Sequence, residues 1–197
     1  MLIAGFSEFL IIFGLIWVAT QQSFSKHGLF RNLLHTCLFI TALAASLGAL
    51  KYLTLVNLLE AHGVMTFLSK HLAMPCICLL TVLHINKTFK QSKPIEIAVL
   101  VLATLSLVSF ALNLWHSLSF MSDAIIIGSL MLGMQSGRGN PTILLYLGLG
   151  IICLSSTIIW GLLLSDSNLR IGAFHAAVSL FLFFLGLTFY KIKTEKI

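Results

Sequence analysis

The chain has 197 residues, of which 58% are hydrophobic and only 9% are charged, and its mean hydropathy is +1.03. Soluble domains carry about 25% charged residues, so a water-soluble fold could not hide this much apolar surface. The formal net charge of +6 does not require a nucleic-acid partner, because basic residues beside membrane-spanning helices meet anionic lipid at the cytoplasmic surface. Composition therefore predicts an integral membrane protein whose first partner is the lipid bilayer.

Seven apolar stretches approach the length of about 20 residues that a helix needs to cross a bilayer core. The first contains Glu8 and has no basic segment before it, so we expect a retained helix rather than a cleaved signal peptide. Short connections and the absence of a fixed-period repeat predict one domain, 1–197, built as an all-α bundle of seven transmembrane helices. In chain order the stretches are 2–20, 33–50, 69–85, 95–115, 118–134, 142–164 and 171–190.

Basic residues indicate how this bundle is threaded. Nine of the 12 Lys and Arg residues lie in connections that follow the first, third, fifth and seventh stretches, and only Lys51, Lys70 and Arg170 lie in the alternate set. Because basic loops stay in the cytoplasm, this bias predicts an outside amino terminus and a cytoplasmic carboxyl terminus. We expect a multi-pass protein of the plasma membrane or of a bacterial inner membrane.

Ionisable side chains inside the predicted helices are candidates for a functional site, since such groups are costly in lipid and usually face the bundle interior. Glu8, Asp123 and His175 come from three different helices at a similar predicted depth. Ser46 and His71 lie at a comparable depth in two more. We therefore expect an outward-facing polar pocket that binds a lipid or another small molecule.

The run LSKHLAMPCICLL at 68–80 allows two interpretations. Lys70 can extend its ammonium group to the membrane surface and act as an anchor, or this segment can contribute to the pocket. Pro75 predicts a kink in the third helix, with a freed carbonyl that a neighbouring helix would satisfy. Cys76 and Cys78 lie about 200° apart around a helix, so they are not expected to bind one metal ion together.

The candidate residues suggest a zinc hydrolase as one chemistry. Such a site needs three His, Asp or Glu ligands and an open position for water. Asp123 and His175 would hold the metal, Glu8 or His71 would complete or orient the ligand shell, and Ser46 would bind the activated water or the developing oxyanion. No pair of these residues has a diagnostic spacing such as HxxxH or HExxH.

Several of these residues together resemble a known group of membrane hydrolases. Seven helices with an outside amino terminus, Glu8 in the first, Ser46 late in the second and the FH pair ending at His175 in the seventh resemble the superfamily of alkaline ceramidases and adiponectin receptors. The resemblance implies zinc-dependent hydrolysis of a lipid, or a non-catalytic relative of such an enzyme. Leu50 stands where that family has a histidine four residues after the serine, and Ile171 stands where it has the first histidine of HxxxH.

Haem is a second cofactor to consider, because the chain has seven histidines. His71 and His84 are thirteen residues apart, which places them about 140° apart around a helix and disfavours two stacked haems. His35 and His175 are predicted near opposite surfaces and so would not share one haem. A retinal protein is excluded more firmly, since the stretch 171–190 contains no lysine for a Schiff base.

Two further functions remain open at the level of sequence. Glu8, Asp123 and His175 would suit the proton relay of a proton-coupled small-solute carrier, although the chain shows no inverted repeat. A membrane scaffold or partner subunit without chemistry is the other alternative.

Overall fold

The computed structural model of the chain describes residues 2–21, 28–54, 58–86, 97, 101, 104–106, 108–109, 111–112 and 114–194. These residues are helical almost throughout, and no strand occurs among them. Five helices in the described ranges are long and apolar enough to cross a membrane: Leu2–Gln21, Gly28–Leu53, Leu59–Ile85, Pro141–Leu163 and Ser167–Thr194. The all-α prediction is confirmed, and the fold is that of a membrane-embedded protein.

Most of the predicted stretches correspond to helices to within a few residues. The predicted stretch 95–115 lies largely outside the described residues. The π-helical segment Ser69–Ala73 joins the third and fourth helices without a break. The helices are α1 (Leu2–Gln21), α2 (Gly28–Leu53), α3 (Leu59–Leu68), α4 (Met74–Asn86), α5 (Trp115–Ser136), α6 (Pro141–Leu163) and α7 (Ser167–Thr194).

The start of the third predicted helix is wrong, because helical structure begins at Leu59 rather than at residue 69. Polar residues such as His62 lower the local hydropathy of this segment. His62 nevertheless stays in the helix, since its ring contacts Lys51 and packs edge-on against the Tyr52 ring. As a consequence, His71 lies about three turns into the helix instead of at its mouth, and its side chain is buried.

Pro75 explains an unusual contact at the π-helical segment. Proline has no N–H to give to the carbonyl four residues earlier, which is that of His71. The Ser106 hydroxyl donates to this carbonyl at 3.2 Å. A neighbouring segment therefore satisfies the freed carbonyl, as expected from the sequence.

The first and last helices pack side by side and run in the same direction. Ser7 contacts His175, and further along the Trp17 Nε1 donates to the Phe183 carbonyl at 3.2 Å, so the contacts advance together on both helices. Gly14 allows close approach between these points. A Cβ at this glycine would lie only 3.0 Å from the Leu182 Cβ.

The continuous helix formed by α3, the π-helical segment and α4 also runs parallel to α5. His71 contacts Ser122 near the start of α5, and Gly133 near its end faces Val82 and Ile85 near the end of α4. α4 therefore ends at one end of the bundle, whereas α5 begins towards the other. We call the end at which α1, α3, α5 and α7 begin the upper end, and the opposite one the lower end.

Candidate functional site

Glu8 and His175 meet inside the upper half of the bundle. The Glu8 Oε1 lies 3.4 Å from the His175 Nε2, and the two residues are only 3% and 8% exposed. The parallel packing of α1 against α7 produces this contact, because it brings the first turns of both helices to the same level. A carboxyl group and an imidazole at this distance can exchange a proton while shielded from water.

Ser7 contacts the other nitrogen of the same imidazole. Its Oγ lies 2.8 Å from the His175 Nδ1 and also donates to the carbonyl of Ala4 at 2.8 Å. His175 is thus held between a hydroxyl and a carboxyl group on adjacent residues of α1. Sequence reasoning missed Ser7, and the available signal was its position next to the glutamate in an apolar helix.

The hydrogen atoms of this network have two consistent arrangements, since one hydroxyl carries one proton. If Ser7 donates to Ala4, the His175 Nδ1 must carry hydrogen and its bare Nε2 faces a protonated Glu8. If Ser7 donates to the His175 Nδ1, the Nε2 carries hydrogen and faces the Glu8 carboxylate. The second arrangement holds one proton fewer than the first, so removal of one proton from the Glu8–His175 pair decides whether the Ser7 hydroxyl points at its own helix or at the imidazole.

α2 and α3 complete the surroundings of Glu8. A Cβ at Gly48 would overlap the Glu8 Oε1 and would lie 3.1 Å from the His62 Nε2, so only glycine leaves room for the carboxyl group. The Lys51 Nζ lies 3.4 Å from the His62 Nδ1 and is close enough to interact electrostatically with Glu8. Ser7, Glu8, Lys51, His62 and His175 form what we call the Glu8 cluster.

A second polar group surrounds His71. Its Nδ1 lies 3.0 Å from the Ser122 Oγ, and its ring centroid lies 4.7 Å from that of Phe67. Asp123 follows Ser122 on α5, has an exposed side chain and interacts electrostatically with His71. These contacts hold the π-helical segment against α5.

The predicted site residues are therefore distributed over several places. Glu8 and His175 come together, as the predicted pocket required. Asp123 and His71 belong with Ser122 instead. The Ser46 hydroxyl donates to the Ala42 carbonyl of its own helix at 2.8 Å.

The side chains of the Glu8 cluster do not fit the expected zinc ion. Within the described ranges, no three or more His, Cys, Asp or Glu side chains are grouped so that they could hold a metal. Asp123 therefore does not join Glu8 and His175 as a third ligand. A haem iron is disfavoured at His175 for a related reason, because Ser7 and Glu8 engage both of its ring nitrogens.

Neither a protein-family model, a characterised protein nor a solved structure matches this chain. Fold and site together define a class: an all-helical, membrane-embedded protein with a buried acid–base cluster. The function must be inferred from the chemistry of that cluster.

Proposed function

We propose that this protein is a membrane-embedded serine hydrolase that cleaves an acyl bond of a lipid. Ser7 is the nucleophile, His175 is the base and Glu8 orients the imidazole. The observation that carries the proposal is that one imidazole contacts a serine hydroxyl at 2.8 Å and a carboxyl group at 3.4 Å through its two nitrogens. Such triads are recognised by geometry and not by sequence order.

The first half of the reaction uses the arrangement in which Ser7 donates to His175. As the Ser7 Oγ attacks the acyl carbonyl carbon, its proton passes to the His175 Nδ1. The Glu8 carboxylate faces the Nε2–H and stabilises the imidazolium. The same proton then goes to the departing alcohol or amine, which leaves the acyl group as an ester on Ser7.

Water completes the cycle. His175 removes a proton from a water molecule that attacks the acyl ester, and returns a proton to Ser7 as the fatty acid leaves. The ammonium of Lys51 interacts electrostatically with Glu8. This attraction offsets part of the cost of a carboxylate in a site removed from bulk water.

The resemblance to alkaline ceramidases also implies lipid hydrolysis, but by another route. The proposal keeps the reaction class and replaces zinc by an activated serine. It also moves the key hydroxyl from Ser46 to Ser7, because the Ser7 Oγ lies 2.8 Å from the His175 Nδ1.

Covalent labelling tests the nucleophile directly. We expect an alkyl fluorophosphonate to modify the detergent-purified protein at Ser7, with the adduct located by peptide mass spectrometry. Ser7→Ala should lower the labelling rate by about tenfold or more, because it removes the hydroxyl that the imidazole of the proposed triad activates.

Ser156→Ala is the matched control. The Ser156 hydroxyl donates to the carbonyl three residues earlier, as that of Ser7 does, but no histidine in the described ranges forms a hydrogen bond with it. Labelling that survives Ser7→Ala and disappears in Ser46→Ala would make Ser46 the nucleophile and contradict the assignment of Ser7. Labelling of no serine at all would contradict the hydrolase.

We further propose seven membrane spans, with the amino terminus outside and the carboxyl terminus in the cytoplasm. α4 ends at the lower end and α5 begins towards the upper end, so the connection through 87–114 starts and finishes on different sides. Nine Lys and Arg residues lie in the connections that follow the first, third, fifth and seventh predicted stretches, against three in the alternate set, which favours a cytoplasmic lower end. The Glu8 cluster then faces the outside of a plasma membrane or a bacterial inner membrane.

Reporter fusions check this topology. A reporter inserted between Ser136 and Pro141, or attached after residue 197, should report the cytoplasm. One inserted between α2 and α3 should report the opposite side. Reporters between α2 and α3 and at the carboxyl terminus that gave the same side would refute the threading.

A proton-coupled carrier is the second candidate, because the Glu8 cluster joins ionisable groups from four helices. The proton exchange between Glu8 and His175 would then accompany movement of a solute. Ser7→Ala separates the two functions. It removes the nucleophile of a hydrolase but leaves the Glu8–His175 pair of a carrier, whose uptake in proteoliposomes should persist.

A further inference from the structure

A groove lies between α1 and α7, on an exposed side of the pair. Its volume is about 520 Å³, within the range of about 300–1,000 Å³ that is usual for small-molecule sites. Its walls include exposed apolar side chains that open it sideways to the bilayer. The residues that define it are Leu10, Gly14 and Trp17 on α1 and Ala176, Ser179 and Phe183 on α7.

The groove continues the helix faces that carry the proposed catalytic pair. Leu10 and Gly14 follow Ser7 by three and seven residues, which keeps them on the same side of α1. Ser179 follows His175 by four residues in the same way, and its hydroxyl donates to the His175 carbonyl. The groove therefore begins about one turn below the imidazole.

Two aromatic rings mark the lower limit of the groove. The rings of Trp17 and Phe183 are stacked, with centroids 5.9 Å apart, and the indole N–H donates to the Phe183 carbonyl. From Ser7 to Trp17 the helix rises about 15 Å, at 1.5 Å per residue. The result is an elongated apolar channel whose upper end lies about one turn below the His175 imidazole and whose lower end is a stacked aromatic pair.

We propose that this groove holds one acyl chain of a lipid ester or amide, with the carbonyl group at Ser7 and His175 and the chain running towards Trp17. This inference rests on the proposed hydrolase and names the class of its substrate. An amphiphile matches both ends of the channel, because its carbonyl and headgroup suit the Glu8 cluster and its chain suits the apolar walls. A polar solute would match only the upper end.

The groove would contribute to the reaction by orienting the acyl chain, and not by binding it more tightly than the bilayer does. An acyl chain that moves from the bilayer into the groove gains little transfer energy, since lipid tails are as apolar as the groove walls. Holding the chain along α1 and α7 instead fixes the carbonyl carbon near the Ser7 hydroxyl. Such positioning removes much of the entropic barrier to the reaction.

A photoreactive lipid tests the occupant. The probe is a lysophosphatidylcholine with a diazirine in the middle of its acyl chain, added to the protein in phosphatidylcholine nanodiscs. We expect more adducts on residues 10–17 and 176–183 than on the lipid-facing surface of α6. Ala176→Leu should reduce the groove adducts to the α6 level, because the larger side chain fills the channel.

Ala124→Leu is the control, since Ala124 is exposed on α5 and lies outside the groove lining. Ser7→Ala should keep the adducts while it loses fluorophosphonate labelling, which separates failure of the groove from failure of the hydrolase. Equal adducts on all lipid-facing helices, unchanged by Ala176→Leu, would overturn the proposal. Cross-links to a second copy of the chain in place of lipid adducts would overturn it as well, because a helix would then occupy the groove.

Discussion

Replacing Gly48 by alanine is expected to destabilise the protein and to abolish labelling of Ser7. The new methyl group would occupy the position of the Glu8 Oε1 and would press on the His62 Nε2. Glu8 is buried against His175, and the half-buried His62 contacts Lys51, so neither neighbour can yield without breaking a contact. Overpacking of this kind costs about 1–3 kcal/mol, and displacement of Glu8 would also deprive His175 of its carboxyl partner.

Gly128→Ala provides the comparison, because Gly128 is also helical and a Cβ there meets nothing within 4 Å. This control should be neutral or slightly stabilising, since alanine is the better helix former. Resistance to unfolding in detergent, followed with increasing denaturant or temperature, gives the stability of both variants. Equal stability and equal labelling for Gly48→Ala and the wild type would show that Glu8 does not need the space above Gly48.

Glu8→Gln is expected to separate folding from catalysis. Glutamine has nearly the same shape and retains an oxygen that can accept from the His175 Nε2–H, so the helices should still pack. It cannot carry the negative charge that stabilises an imidazolium. We therefore expect near-normal stability and a fluorophosphonate labelling rate that falls by about 100-fold or more.

Glu8→Leu is the contrasting variant. It removes every polar partner at this position and leaves His175 and Lys51 beside an apolar side chain, so it should lower both stability and labelling. Measuring the two properties on both variants distinguishes a positioning acid from a purely structural one. If Glu8→Gln labels at the wild-type rate, Glu8 serves packing alone and the proposed triad is wrong.

Hydropathy predicted the fold class and most of the helices because long apolar runs are a one-dimensional signal. The third helix shows where that signal fails. Its first turns carry Glu60 and His62, which both look like loop residues in the sequence. Only the structure shows that Lys51 and Tyr52 face His62. Such contacts between helices are invisible in a window of local sequence.

The predicted depth of a residue along its helix located some site residues correctly and others wrongly. Glu8 and His175 were predicted to meet, and they do so because α1 and α7 are neighbours. Asp123 had a similar predicted depth, yet it lies beside Ser122 and interacts with His71. Depth does not specify which helices are adjacent or how each is rotated, and Ser7 was overlooked for the same reason.

The pairing of α1 with α7 also constrains how the protein is made. Glu8 enters the membrane with the first helix, whereas His175 is synthesised only with the last one. Until α7 inserts, the carboxyl group of α1 lacks its imidazole partner and the groove lacks one of its walls. The site is therefore completed only when α7 inserts, and a chain that stopped before α7 would present Glu8 without its imidazole partner to cellular quality control.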